Sequence, residues 1–214
     1  MEKRTRVGFL NILSTCLLYG ISIITAPLFS RLLGTGGYGN VSNYNVWVSI
    51  LSIAATLQTQ ATLANAMVEY PESLQDKYQS SVLSLSFLAF AVVSALILLF
   101  LNPISHALNL SKFFILLVLF QSIGTYGVNF MNRKLTYEMK AGRNMLLSLG
   151  TTMATLGLSL LFVLMLPQEL RYYGRIVAIA AVYGLLGLGL CVFIWAKGRT
   201  FYNRDFWRFC IPLA

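Results

Sequence analysis

Six stretches free of Asp, Glu, Lys and Arg constrain this chain more than anything else in it. They are Val7 to Phe29, Val41 to Val68, Ser80 to Leu101, Phe113 to Met131, Met145 to Leu166 and Ile176 to Ala196. A charge at the centre of a membrane span costs roughly 2.5–3.5 kcal/mol, and a hydrocarbon core about 30 Å thick is crossed by a helix of roughly 20 apolar residues. Lipid gives a backbone amide no partner, so each run has to satisfy its own hydrogen bonds, as a helix does. The runs predict an all-α integral membrane protein, a six-transmembrane-helix bundle forming a single membrane domain over residues 1–214. The mean hydropathy of +0.71 agrees, lying outside the range of soluble globular domains.

The net charge of +9 would point to nucleic acid in a soluble chain. Here the cations lie between the runs, and their distribution sets an orientation instead. One side collects Lys3, Arg4, Arg6, Lys77, Arg133, Lys134, Lys140, Arg143, Lys197, Arg199, Arg204 and Arg208; the other has Arg31, Lys112, Arg171 and Arg175. Twelve against four places both termini in the cytoplasm of a multi-pass cell-membrane protein, with the bilayer as a partner and no nucleic acid. The first run is too long for the core of a cleaved signal peptide. Short connections with turn residues at Pro71, Asn102-Pro103 and Pro167 leave no room for a soluble domain.

Between the first two runs stands Pro27 to Asn40, a glycine-rich stretch expected to form a tight turn on the outer side. Gly34-Thr35-Gly36-Gly37-Tyr38-Gly39 matches the letters of a dinucleotide-binding loop. That loop needs a strand before it and an acid about 20 residues on; a membrane run precedes this one, and Thr59 occupies the acid's place. No paired carboxylates, H-E-x-x-H or G-x-S-x-G occurs, so the chain reads as a non-enzyme without cofactor or metal. Cys16 and Cys191 lie inside runs and read as packing residues, His106 reads as a loop residue, and Asn109-Leu-Ser111 has the form of a glycosylation acceptor.

Polar residues recur at helical spacing within four of the runs. The first carries Asn11, Thr15, Tyr19 and Ser22; the second Asn45, Ser49, Ser52, Thr56 and Thr59, with Gln58, Gln60 and Asn65 near its cytoplasmic end. Thr125 and Asn129 mark the fourth, and Ser148, Thr151, Thr155 and Ser159 the fifth, with Asn144 just before it. Two readings compete. Such stripes let helices pack closely and exchange hydrogen bonds, or they line a hydrated cavity, the reading favoured for the carboxamides because an amide facing lipid is costly. Gly184, Gly187 and Gly189 in the sixth run read as close-packing positions.

Ser30-Arg31-Leu32-Leu33-Gly34, followed by Gly37-Tyr38-Gly39, resembles the polysaccharide (O-antigen and capsule) flippases, whose superfamily also holds lipid II flippases and multidrug and toxin extruders. The basic N-terminus before a polar-faced first helix is similar to theirs, and Trp207 to Leu213 looks like the opening of their seventh helix. The resemblance implies one lobe of a two-lobe transporter that moves a polyprenyl-diphosphate-linked oligosaccharide to the outer leaflet for lipopolysaccharide or capsule biosynthesis. It also implies a second lobe missing from this chain, and polysaccharide polymerase or export proteins as partners. The substrate cavity would be lined by Asn11, Thr15, Ser22, Asn45, Ser52, Thr56, Gln58, Gln60, Asn65, Thr125, Asn129 and Asn144, with Arg31 at its outer mouth either as an anion contact or as a cation snorkelling to headgroups. A multidrug extruder of the same superfamily and a membrane scaffold are the alternatives.

Overall fold

The computed structural model describes residues 2–108 and 111–213. Asn109 of the acceptor tripeptide lies outside them, as do the side chains of Lys3, Arg4 and Arg6, which entered the orientation count. Among the described residues the chain forms eight α-helices and three short 3₁₀ turns, with no strand: α1 (Glu2–Ala54), α2 (Leu63–Glu69), α3 (Glu72–Leu99), α4 (Leu101–Leu108), α5 (Lys112–Tyr137), α6 (Ala141–Met165), α7 (Arg171–Gly198) and α8 (Arg204–Cys210). Five helical segments are long and apolar enough to cross a membrane, in α1, α3, α5, α6 and α7. The chain is a multi-pass membrane protein.

The first two charge-free runs form two helices that meet directly at a kink within α1. The stretch expected as a turn keeps helical geometry except at Gly34, whose φ of 71° and ψ of 170° kink α1. A side chain at that φ would be strained, which is why the kink sits on a glycine. Residues on both sides of the kink meet the start of α7. Arg171 donates from Nη1 to the Leu32 carbonyl at 3.3 Å, the Arg175 guanidinium lies 3.3 Å from the Phe29 ring centre, and Gly37 faces Tyr172.

The second run is not a single helix either. Leu57 and Gln58 adopt left-handed conformations, with φ of 56° and 43°, and end α1 after Ala54. For residues with a side chain this costs roughly 1–2 kcal/mol each. What it permits is an inward turn carrying two threonines, Thr59 and Thr62. Thr59 bonds with Ser86 and Tyr126 hydroxyls, each at 2.6 Å, Ser86 closes the triangle to Tyr126 at 2.7 Å, and Thr62 bonds with the Tyr78 hydroxyl at 2.7 Å. All of these are buried. Removing the Tyr126 hydroxyl leaves Thr59 and Ser86 bonded to each other, so Tyr126→Phe is expected to lower stability by only about 1 kcal/mol, read by denaturant titration in micelles.

Helix α5 is the centre of the bundle, touching α1, α3, α6 and α7. Its apolar residues divide between two cores: Phe114, Ile115 and Val118 pack with Phe29, Tyr44 and Ile176 at the Gly34 end, and Ile123, Tyr126 and Phe130 with Tyr78, Val82 and Ile194 further along. Glycines bring α5 against α7. A Cβ added at Gly124 would lie 2.5 Å from Gly184 Cα, and one at Gly187 2.5 Å from Gly124 Cα, while Gly189 faces open space. Two of the three glycines singled out in the sixth run are therefore contact positions.

The connections follow local chemistry. Pro71 and Pro167, both extended, precede α3 and the 3₁₀ turn before α7. Pro103 sits within the first turn of α4, where its missing N–H has no intrahelical acceptor, so His106 lies on a short helix rather than in a loop. Helix α8 is capped by Asn203, whose Oδ1 accepts from the Asp205 and Phe206 amides. Its Trp207 indole donates to the Ser81 carbonyl at 3.0 Å, fastening α8 to α3.

Candidate functional site

A groove of about 390 Å³ runs along α1 beyond the Gly34 kink, lined by Tyr38, Ser42, Asn45, Ser49 and Ile53 and closed on one side by Arg175. At 100° per residue, Ser42, Asn45 and Ser49 share a face of the helix. Ser49 spends its hydroxyl on the Asn45 carbonyl at 2.9 Å. Arg175 is held differently. Helix α7 begins at Arg171, so Arg175 lies one turn inside it, with Phe29 against its guanidinium. Its Nε and Nη1 are buried and make no hydrogen bond. Buried guanidinium nitrogens without an acceptor are costly, and an oxygen acceptor, from an anion, a polar group or water, would complete them.

A second pocket of about 310 Å³ lies toward the other end of the bundle, lined by Gln60, Asn129, Asn132, Arg133 and Thr136. Gln60 Oε1 and Asn132 Oδ1 are buried and unpaired. Asn144 donates from Nδ2 to Thr136 Oγ1 at 3.3 Å, while its own Oδ1 is also buried and unpaired. These acceptors suit hydroxyl or amide donors.

The polar residues singled out from the sequence are not gathered into one place. Asn45 lines the groove and Gln60 and Asn129 line the second pocket. Thr56 is fully buried and bonded to the Ser52 carbonyl, and Ser52 is itself buried. Gln58 holds the left-handed turn after α1, Asn65 is exposed on α2, and Thr125 Oγ1 is buried without a partner. On the first part of α1, Thr15 and Ser22 are exposed and bond back to the Asn11 and Leu18 carbonyls, with Asn11 half-buried. Arg31 is exposed. The groove is lined by Arg175, which in the sequence counts only as an outer-side cation.

A charged network lies at the ends of the helices, where the charge-free runs carry no trace of it. Lys134, 4% exposed, reaches Asp76 at 2.9 Å and Glu138 at 3.6 Å and donates to the Gln79 carboxamide. Asp76 also pairs with Lys197 at 2.9 Å. Helices α3, α5 and α7 are thereby joined at the end away from Gly34.

A family model for polysaccharide biosynthesis proteins matches residues 5–213. The chain belongs to this family. The match takes in both pockets, the Gly34 kink and α8, so the family is carried by the bundle as a whole. Neither a curated protein nor a solved structure matches the chain. Membership supports a transport-related role in polysaccharide biosynthesis.

Proposed function

We propose that the chain translocates lipid-linked oligosaccharide units across the cell membrane, from the cytoplasmic to the outer leaflet, for cell-surface polysaccharide biosynthesis. The observation that carries this reading is Arg175: a guanidinium inside a helix long enough to span the membrane, opening on a polar groove, with two nitrogens unpaired. An ionisable side chain at the end of a membrane helix that turns into a groove can meet a passing ligand, and a diphosphate is a natural acceptor for a guanidinium fork. The carboxamides of the second pocket supply acceptors for sugar hydroxyls.

The segment Val7–Ala54 has 48 residues, about 72 Å of helix, more than twice the roughly 30 Å core. We infer that it crosses twice with Gly34 at the outer surface, which makes six crossings and, with twelve of sixteen cations on the other side, two cytoplasmic termini. The groove then lies toward the outer leaflet and the carboxamide pocket toward the cytoplasm, so a unit would load at the second and pass to the first.

Arg175→Ala in the protein as expressed by its host is expected to lower polymer export about ten- to hundredfold at unchanged membrane abundance, since a hydrogen bond to a charged group is worth roughly 1.5–3 kcal/mol. Arg175→Gln should fall nearly as far, because it retains donors but not charge. Wild-type export in both variants would refute the assignment.

A further inference from the structure

The run from Val41 to Val68 contains neither glycine nor proline, so nothing in it obliges a helix to stop. Yet α1 stops at Ala54, and helix resumes at Leu63 after a 3₁₀ turn over Thr59–Thr62. The interruption holds Leu57 and Gln58 in left-handed conformations, each disfavoured by a factor of roughly five to thirty. Against this stand the hydroxyl bonds of Thr59 to Ser86 and Tyr126 and of Thr62 to Tyr78, each favouring the broken form by a factor of about five. Multiplied out, strain and bonding are of the same order, about a hundredfold. Residues strained in this way cluster at switch regions.

A second form is within reach of the same residues. Wound into a continuous helix, Thr59 and Thr62 would have the carbonyls of Ala55 and Gln58 one turn back as hydroxyl acceptors. Ser86 and Tyr126, left behind in the core, keep their own bond at 2.7 Å. The carboxamide pocket depends on which form is present. Asn129, Asn132, Arg133 and Thr136 line it from α5, and Gln60 alone among its lining residues belongs to the turn. Restoring right-handed geometry at Leu57 and Gln58 redirects the chain after them, so the pocket loses its one wall outside α5.

We propose that residues 55–62 are a two-state hinge: broken in this structure, with Gln60 closing the carboxamide pocket, and continuous from α1 into α2 in a second conformation that opens it. The near cancellation of strain and bonding is what makes the segment bistable rather than simply strained. The hinge is a property of the chain itself and holds whatever the pocket carries, so it stands or falls separately from the transport reading.

Spin labels on Ile53→Cys and Val68→Cys, at positions 52% and 90% exposed, report the form in the full chain in lipid nanodiscs, with the exposed Cys16 replaced by serine. A continuous helix sets the two positions about 22 Å apart; the broken form, in which the chain changes direction, gives another distance. Thr59→Val keeps the volume, leaves Ser86 and Tyr126 bonded, and removes both bonds of Thr59. It is expected to raise the ratio of continuous to broken chains about twenty-five-fold, so that a component near 22 Å grows. Tyr126→Phe removes one of those bonds and should fall between wild type and Thr59→Val. Adding Gln58→Gly to Thr59→Val frees the left-handed position of its cost and is expected to reverse the shift by a factor of roughly five or more. A distribution in Thr59→Val unchanged from wild type overturns the hinge. So does a broad distribution that Gln58→Gly fails to narrow, which would mean that the turn melts instead of winding.

Discussion

Gly187→Ala is expected to destabilise the bundle by about 2–3 kcal/mol, while Gly189→Ala, two residues along the same helix, is expected to be neutral or slightly stabilising. The two substitutions add the same methyl group to α7. At Gly187 the new Cβ meets the backbone of Gly124, its Cα at 2.5 Å and its carbonyl closer still. Backbone cannot swing aside as a side chain does, so α5 and α7 must separate. That separation also loosens Gly127, which faces the Gly187 backbone and Cys191, and Gly184, which faces the Phe120 ring. The gap would cost the dispersion contacts that hold helices together in lipid, where burial from water contributes nothing between spans. Gly189 has open space beyond it, and alanine is a better helix former by roughly 1 kcal/mol. Denaturant titration of both variants in micelles checks the contrast; equal midpoints would refute the proposed contact.

The helices were legible in the sequence because lipid tolerates so little: absence of charge over 19 or more residues leaves few structures available. The same reasoning obscured the charged groups that matter most. Where charge marks the end of a span, a charge inside a helix's last or first turns is assigned to a loop by construction. Lys134 lies beyond the charge-free run ending at Met131, yet α5 continues to Tyr137. Asp76 precedes the run beginning at Ser80, yet α3 starts at Glu72. Arg175 precedes the run beginning at Ile176, yet α7 starts at Arg171. The polar stripes divided by chemistry. Serine and threonine can spend their hydroxyl on the carbonyl one turn back, as Thr15, Ser22, Thr56 and Thr151 do, so their spacing says nothing about which face is wet. A carboxamide has no such economical local outlet; Gln60, Asn129 and Asn144 lie in or beside the second pocket and Asn45 lines the groove, whereas Gln58 holds the turn after α1 and Asn65 is exposed on α2. The break at Leu57 and Gln58 had no sequence signal, because neither residue is one that favours a left-handed conformation.

The charged network at Lys134 makes the largest stability prediction, and it predicts an order rather than a single value. Lys134 is buried, with side-chain exposure of 5%, whereas Asp76 is 33% and Lys197 47% exposed. Asp76→Asn removes the charge nearest a buried ammonium and leaves Lys134 with Glu138 at 3.6 Å and the neutral Gln79; fully stranding one member of a buried pair costs roughly 3–5 kcal/mol, and because Glu138 remains, this variant is expected at the lower end of that range. Lys134→Met keeps the volume and removes the buried charge itself. Lys197 still holds Asp76 at 2.9 Å, so the cost is set by the unpaired Gln79 oxygen, roughly 1–3 kcal/mol. Lys197→Met breaks only the exposed half and should change stability by at most about 1 kcal/mol. The order Asp76→Asn, then Lys134→Met, then Lys197→Met follows from burial; simple counting of ion pairs would put Asp76→Asn level with Lys134→Met, since each loses two. Midpoints of denaturant titrations in micelles distinguish them. Because the network joins α3, α5 and α7 at one end of the bundle, its loss should also let that end fray, visible as faster amide exchange from the last turns of α5 and α7 in Asp76→Asn and not in Lys197→Met. Equal exchange in the two variants would mean that the network is a surface feature and that the fold is held there by the aromatic packing of Tyr78, Tyr70 and Phe206 alone.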